Sequence, residues 1–231
     1  MPGFFRRGDG HPLDAIEQNL GAMFTHVTSS LHLAARALFG DQPVDDVAAD
    51  LRATDRQVNL LEQEVRRALL VHVAVAVAAD APSMLTYMSL VKDIERIGDY
   101  AKNLLDLAEL GVDLSRGDDA GELRRDFAVV VELVPRAATA FAERDEAVAQ
   151  ELLADVESLL ERCNAKVDAA VTSDEPGRHA APRALYHRYL KRVVAHTGNV
   201  LSGVVMPLDL LDFFDEDVED RVRGVPDDED R

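Results

Sequence analysis

The chain has 231 residues and a formal net charge of −18. So strong a negative charge argues against a nucleic-acid-binding surface, which needs clustered lysine and arginine. It also argues against simple electrostatic attachment to anionic lipid. Hydrophobic residues make up 47% of the chain and aromatic residues only 5%, a composition that favours helices packed on helices. The single cysteine, Cys163, excludes an internal disulfide and favours a reducing compartment.

Apolar residues spaced three and four positions apart predict three long helices in the first half of the chain. The stripes cover Leu13–Leu38, Val47–Ala68 and Ile94–Ala108. The second stripe continues into an apolar run, LLVHVAVAVAA (Leu69–Ala79), which is too short to cross a bilayer and is predicted to be a buried helix segment. A break at Asp80–Ser83, with Pro82 early in the next helix, separates the second helix from the third.

The second half of the chain repeats this order, because a glycine-rich loop is followed by three more predicted helices. These helices are predicted over residues 119–144, with a kink at Pro135, over 146–172, and from Pro182 to Val205. The predicted fold is therefore all-α, with two tandem three-helix bundles and six long helices. The predicted organisation is an N-terminal arm (1–12), a first bundle (13–110), a linker (111–121), a second bundle (122–207) and an acidic C-terminal tail (208–231).

The stretch DIERIGDYAKN (Asp93–Asn103) adds polar residues that bundle packing does not require. Glu95 and Asp99 are four residues apart and so lie on one face of the third helix. On the second helix, Asp55, Asn59 and Glu62 each directly follow a position of the apolar stripe. If the two helices pack side by side, oxygen atoms from both can converge on one or several hard cations. Asp55, Asn59, Glu95 and Asp99 are therefore the predicted metal ligands.

An alternative for the same residues is a solvated helix face, in which Arg96 and Lys102 pair with the carboxylates. Gly98 favours the metal site over a solvated face. A glycine inside a helix costs about 1 kcal/mol relative to alanine, and it usually permits close approach of a neighbour or ligand. Both interpretations remain open from the residues alone.

The segment LVKDIERIGDYAKNLLDLA resembles the PhoU family, whose repeats carry an E-R-I-G-D-x-A-x-N-I signature on their third helix. The segments LDAIEQNLGAMFTHVTSSLHLAARAL and DLRATDRQVNLLEQEV are similar to the first and second helices of that family. The resemblance covers about residues 13–205 and is strongest in the first half.

The resemblance implies a non-catalytic regulator of phosphate transport and phosphate-starvation signalling. It implies a multinuclear metal site, with iron, zinc or nickel as candidate metals, on the four residues of the first bundle. Asn59 replaces the usual aspartate and should weaken metal affinity. The implied partners are the ATPase of a phosphate ABC transporter and a phosphate sensor kinase, with a possible homodimer. The implied location is cytoplasmic, peripheral at the inner membrane through the transporter and without membrane insertion.

The second copy of the signature, in LKRVVAHTGNVLSGVV (Leu190–Val205), has lost its acidic residues. Lys191 replaces the glutamate and Ala195 the aspartate, while Leu159 occupies one slot of the other acidic pair. Only Asp155 remains, so this second site is predicted to be empty. A further hypothesis is that Lys191 pairs with Asp155 in place of a metal.

Two other function classes remain as alternatives. A carboxylate-bridged, metal-dependent helical enzyme is disfavoured because the helices contain no Glu-x-x-His pattern and no nucleophile–base pair is recognisable. A purely structural adaptor, in which Glu95 and Asp99 make only salt bridges, would need no metal. No catalytic or cofactor-binding residues are predicted.

Overall fold

The structure is a computed structural model and describes residues 12–75 and 80–211. Within these ranges there are six α-helices, the short 3-10 helix Leu208–Leu210 and no strand. The helices are α1 (Pro12–Leu38), α2 (Val44–Val75), α3 (Ala81–Glu109), α4 (Ala120–Glu143), α5 (Glu146–Val171) and α6 (Gly177–Val205). The predicted all-α fold is therefore confirmed. Of the predicted arm and tail, the structure describes only Pro12, which begins α1, and residues 208–211, which contain the 3-10 helix Leu208–Leu210.

The helices form two bundles, α1–α3 and α4–α6, that pack along each other through α3 with α6 and α1 with α4. Stripes with a spacing of three and four residues become the buried faces, as Leu20, Val27 and Leu31 of α1 illustrate with no exposed surface. Short connections enforce antiparallel neighbours. Asp145, for example, both ends the turn after α4 and caps α5 by accepting hydrogen bonds from the backbone N–H groups of Ala147 and Val148.

The start of α6 differs from its predicted position. The helix begins at Gly177, five residues before the predicted Pro182, which lies inside the helix. Pro182 has no N–H to donate to the carbonyl of Arg178, so one hydrogen bond of the helix is missing there. The predicted gap between the fifth helix, ending at 172, and the sixth, beginning at Pro182, was therefore too long, because residues 177–181 are helical. Pro135 lies inside α4, which continues to Glu143.

The apolar run after the second stripe was predicted to be buried, and this is wrong for much of the run that the structure describes. Leu69 and His72 are buried, but Leu70, Val71 and Val73 expose 70%, 61% and 60% of their surface. The remaining residues 76–79 lie outside the described ranges. The run lies at the end of the α2–α3 hairpin, where α2 has neighbours on one side only. None of the described helices combines the length and apolar character required to cross a membrane.

Candidate functional site

The predicted metal ligands line a groove between α2 and α3, which run antiparallel. Three contacts along the groove establish this direction: Arg52 bonds to Glu109, Asp55 to Lys102, and Glu62 approaches Lys92. The i, i+4 and i, i+3 spacing keeps each acidic side chain on the groove side of its helix. We call this surface the acidic groove and define it by Asp55, Asn59 and Glu62 of α2 and by Glu95 and Asp99 of α3.

At one end of the acidic groove, Lys102 bridges the two helices. Its Nζ lies 2.7 Å from Asp55 Oδ1 and 2.7 Å from Asp99 Oδ1. Asn59 Nδ2 donates a weak hydrogen bond to the other oxygen of Asp55, at 3.4 Å. Carboxylates on neighbouring helices are therefore close enough to share one cation, and in this structure that cation is an ammonium group.

At the other end, Lys92 makes a matching bridge. Its Nζ lies 2.6 Å from Glu95 Oε2 and 4.0 Å from Glu62 Oε1. Glu62 Oε1 is also 3.0 Å from the Nη2 atom of Arg66, yet this buried oxygen accepts no well-aligned hydrogen bond. An incompletely satisfied buried carboxylate oxygen favours a cation nearby.

The groove changes the protonation equilibria of its own residues. Burial raises the pKa of Glu95 above its ordinary value, and the neighbouring charges of Asp99 and Glu62 raise it further, while the bond from Lys92 partly opposes this. Burial acts to lower the pKa of Lys102, but its bonds to Asp55 and Asp99 outweigh burial, so the pKa of Lys102 is raised. The groove therefore stabilises positive charge.

The donor set of the acidic groove fits a hard cation, because it consists of carboxylate and amide oxygens from two adjacent helices. Within the described ranges, however, no three or more His, Cys, Asp or Glu side chains are arranged around a single metal position. Lys92 and Lys102 lie between the carboxylates instead. Metal binding by Asp55, Asn59, Glu95 and Asp99 stays a prediction. Sequence reasoning had placed Glu62 at the groove, and its contact with Lys92 makes it a further candidate ligand.

In the degenerate second site, the partner of Asp155 differs from the one in the hypothesis. Asp155 pairs with Arg136 of α4, at 3.4 Å, rather than with Lys191. Leu159 is buried, and Ala195 packs against the hydrophobic core. Asp155 is half exposed at the surface of α5, and the cation that reaches it is Arg136 of α4.

Sequence reasoning missed a buried polar cluster where the two bundles meet. Asp93 of α3 accepts hydrogen bonds from His196 Nδ1 and Asn199 Nδ2 of α6, both at 2.8 Å. His196 Nε2 lies 3.3 Å from Arg192 Nη2. Because a guanidinium can only donate, Nε2 is the acceptor in this contact. The retained Arg192, His196 and Asn199 were the available signal, but their partner Asp93 could not be assigned without the packing of α3 on α6.

Residues 20–108, which span most of α1 and all of α2 and α3, match the family model described as "PhoU domain". The first bundle is therefore similar to the PhoU domain. The resemblance predicted from DIERIGDYAKN is thereby confirmed. No curated protein matches the chain.

Two solved structures show that the PhoU fold extends beyond this domain. PhoU from Pseudomonas aeruginosa is 24% identical, with a TM-score of 0.71, and the match covers 93% of this chain and 98% of that one. The phosphate transport system regulatory protein PhoU from Streptococcus pneumoniae is 16% identical, with a TM-score of 0.73, and the match covers 85% of this chain and 94% of that one. Both bundles of the present chain thus share the PhoU fold.

Proposed function

We propose that this protein is a regulator of phosphate transport that acts by binding other proteins rather than by catalysis. The observation that carries the proposal is the PhoU domain over residues 20–108, within a fold that matches PhoU structures over 93% and 85% of this chain. The Streptococcus pneumoniae relative is described as a phosphate transport system regulatory protein. We extend that role to this chain and add repression of phosphate-starvation signalling.

The partner that we propose is the ATPase subunit of a phosphate ABC transporter, with a phosphate sensor kinase as the second partner. The support from this chain is an exposed apolar surface at the end of the α2–α3 hairpin, formed by Leu70, Val71, Val73, Leu85 and Met88. Exposed apolar side chains gathered at one end of a helical hairpin are typical of protein–protein contacts. We call this surface the hairpin tip.

The acidic groove is proposed to bind a metal ion through Asp55, Asn59, Glu95 and Asp99, with Glu62 as an additional ligand. When bound, the ion would supply positive charge shared by α2 and α3. The two helices would then be held at a fixed separation, and the hairpin tip that they carry would be presented in one orientation. This links the site to partner binding without any chemical reaction.

The regulatory role can be tested in the source organism by deleting the gene and measuring phosphate uptake and phosphate-starvation gene expression in phosphate-rich medium. We expect both to rise and to return to normal when the intact gene is restored. Unchanged uptake and expression in the deletion strain would contradict the proposal.

Partner binding can be tested separately with Leu70→Glu and Val171→Glu. These two positions are matched because each exposes 70% of its surface, the first at the hairpin tip and the second at the end of α5. We expect Leu70→Glu to abolish co-purification of the transporter ATPase and Val171→Glu to retain it. If both variants retain the ATPase, the hairpin tip is not its binding surface.

A structural adaptor without metal is the second candidate, and the lysine bridges favour it. Lys102 already joins Asp55 of α2 to Asp99 of α3, so the helices are held together without an added ion. Elemental analysis of protein purified without chelator separates the two candidates: metal in the purified protein supports the metal site, and its absence together with wild-type regulation supports the adaptor.

A further inference from the structure

The two lysines of the acidic groove occupy equivalent positions at its opposite ends. Lys102 bonds to a carboxylate three residues before it on α3 and to Asp55 on α2. Lys92 bonds to a carboxylate three residues after it and approaches Glu62 on α2. Each lysine therefore connects one acidic residue of α2 with one of α3. The two ammonium groups lie at the two ends of the groove.

The charges of the acidic groove nearly cancel without any added ion. Four carboxylates line it, from Asp55, Glu62, Glu95 and Asp99, while Lys92, Lys102 and Arg66 contribute three positive charges. Four uncompensated carboxylates in a partly buried groove would repel one another strongly. The lysines remove most of that repulsion, so the fold does not need a metal to keep α2 against α3.

We propose that Lys92 and Lys102 are built-in counter-cations of the acidic groove, and that a metal ion binds only by displacing them. The inference rests on the metal site included in the proposed function and adds how that site is controlled. An incoming divalent ion competes with ammonium groups for the same oxygens, and it is repelled by them until they leave.

The lysines have room to leave. The side chain of Lys92 is 42% exposed, whereas those of its partners Glu62 and Glu95 are 12% and 11% exposed. The side chain of Lys102 is 32% exposed, between its partners Asp55 at 21% and Asp99 at 39%. A lysine can keep its methylene groups against the helix and move its charged end into water. Both ammonium groups can therefore move into water while the buried Glu62 and Glu95 stay in place, so the two lysines set the affinity of the groove for an added cation.

The test replaces the lysines by methionine, which keeps the length of the side chain and removes the charge. We propose Lys102→Met, Lys92→Met and the double variant, with Lys166→Met as the matched control, because Lys166 pairs with Glu122 at the opposite bundle. Binding of Mn²⁺ to protein freed of metal by a chelator is measured by isothermal titration calorimetry. Thermal unfolding is measured with chelator present and with Mn²⁺ added.

We expect each groove variant to bind Mn²⁺ at least about tenfold more tightly than the wild type, and the double variant more tightly still, because one repelling charge is removed at each step. With chelator, the groove variants should unfold at a lower temperature than the wild type, and Mn²⁺ should restore the loss. The control should match the wild type in both measurements.

The outcomes separate this inference from the metal site itself. Equal Mn²⁺ affinity in the wild type and the groove variants would overturn the role of the lysines and leave the metal site supported. Binding by the double variant but not by the wild type would support the lysines as the residues that keep metal out. Absence of Mn²⁺ binding in every variant would overturn both the metal site and the exchange.

Discussion

Asp93 of α3 lies 2.8 Å from His196 of α6 and joins the two bundles through a buried hydrogen bond. The same carboxylate oxygen accepts a second bond from Asn199. Both partners of the first bond are buried, with 7% and 5% of their surface exposed. The structure thus places a hydrogen-bonded polar cluster at the bundle interface, and removal of the Asp93 carboxylate would leave two donors without this acceptor.

Replacing Asp93 by alanine should lower the free energy of unfolding by about 1–3 kcal/mol, because the buried donor of His196 and the half-buried donor of Asn199 lose their acceptor. In a double-mutant cycle, Asp93→Ala and His196→Ala should show a coupling energy of about 0.5–3 kcal/mol in urea unfolding. Arg52→Ala is the control, because the exposed Arg52–Glu109 pair should contribute less than about 1 kcal/mol. Strictly additive effects at positions 93 and 196 would contradict the pairing.

Glycine-to-alanine substitutions should have opposite effects at two helix positions. A Cβ at Gly203 would lie 2.7 Å from Leu90 Cδ1, and Leu90 is fully buried, so Gly203→Ala should destabilise by about 1–3 kcal/mol through overpacking. A Cβ at Gly21 of α1 meets nothing within 4 Å, so Gly21→Ala should stabilise by about 0.5–1 kcal/mol. Urea unfolding of both variants provides the measurement. Stabilisation by Gly203→Ala would show that Leu90 can move away.

His187 of α6 should make stability depend on pH in mildly acidic solution. Burial lowers its pKa below the ordinary value of 6.5, although the carboxylates of Asp126, Glu122 and Asp119 partly oppose this and Lys166 adds to the lowering. The unfolded chain therefore binds a proton more readily than the folded one, so the contribution of His187 is complete above pH 6.5 and is lost as pH falls through the lowered pKa.

Thermal unfolding between pH 5 and pH 8 should therefore show a smaller loss at low pH for His187→Gln than for the wild type. The difference between the two curves isolates His187 from other groups that titrate in both proteins. His32→Gln, at an exposed position of α1, is the control and should follow the wild type. Parallel curves for wild type and His187→Gln would contradict the prediction.

Metal content should distinguish the two bundles. If the protein is purified without chelator and contains metal, Glu95→Ala should lose it and Asp155→Ala should keep it, because Asp155 is half exposed and paired with Arg136. Metal per protein chain by inductively coupled plasma mass spectrometry gives the result. Equal loss from both variants would contradict a single site in the first bundle.

The sequence was sufficient for the helices and for the faces that they bury. Apolar residues three and four apart determine which side of α1 or α3 meets its neighbours, and this periodicity does not depend on the partner helix. The start of α6 was harder to locate, because a proline such as Pro182 often marks the first turn of a helix. In α6 it lies inside the helix, near its N-terminus, where one backbone hydrogen bond is missing. The exposure of Leu70, Val71 and Val73 was missed because composition cannot show how many neighbours surround a helix end.

The acids of the candidate site were predictable and its cations only in part, because Lys102 was named as a partner of the carboxylates in one interpretation and Lys92 was not. Spacing places Glu95 and Asp99 on one face of α3, whatever the rest of the chain does. Whether Lys102 points toward Asp55 depends on the separation and register of α2 and α3, which one sequence does not contain. Asp93 shows the same limit, since its partners His196 and Asn199 are about a hundred residues away along the chain.

The close fit of Leu90 against Gly203 restricts how this protein can transmit a change. A slip of one helical turn, about 5.4 Å, would place Asn199 or a residue near Met206 opposite Leu90, and each of these has a side chain where glycine has none. Sliding of α6 along α3 would therefore require Leu90 to leave its place opposite Gly203, whereas rolling or tilting of the two helices about this contact would keep it there.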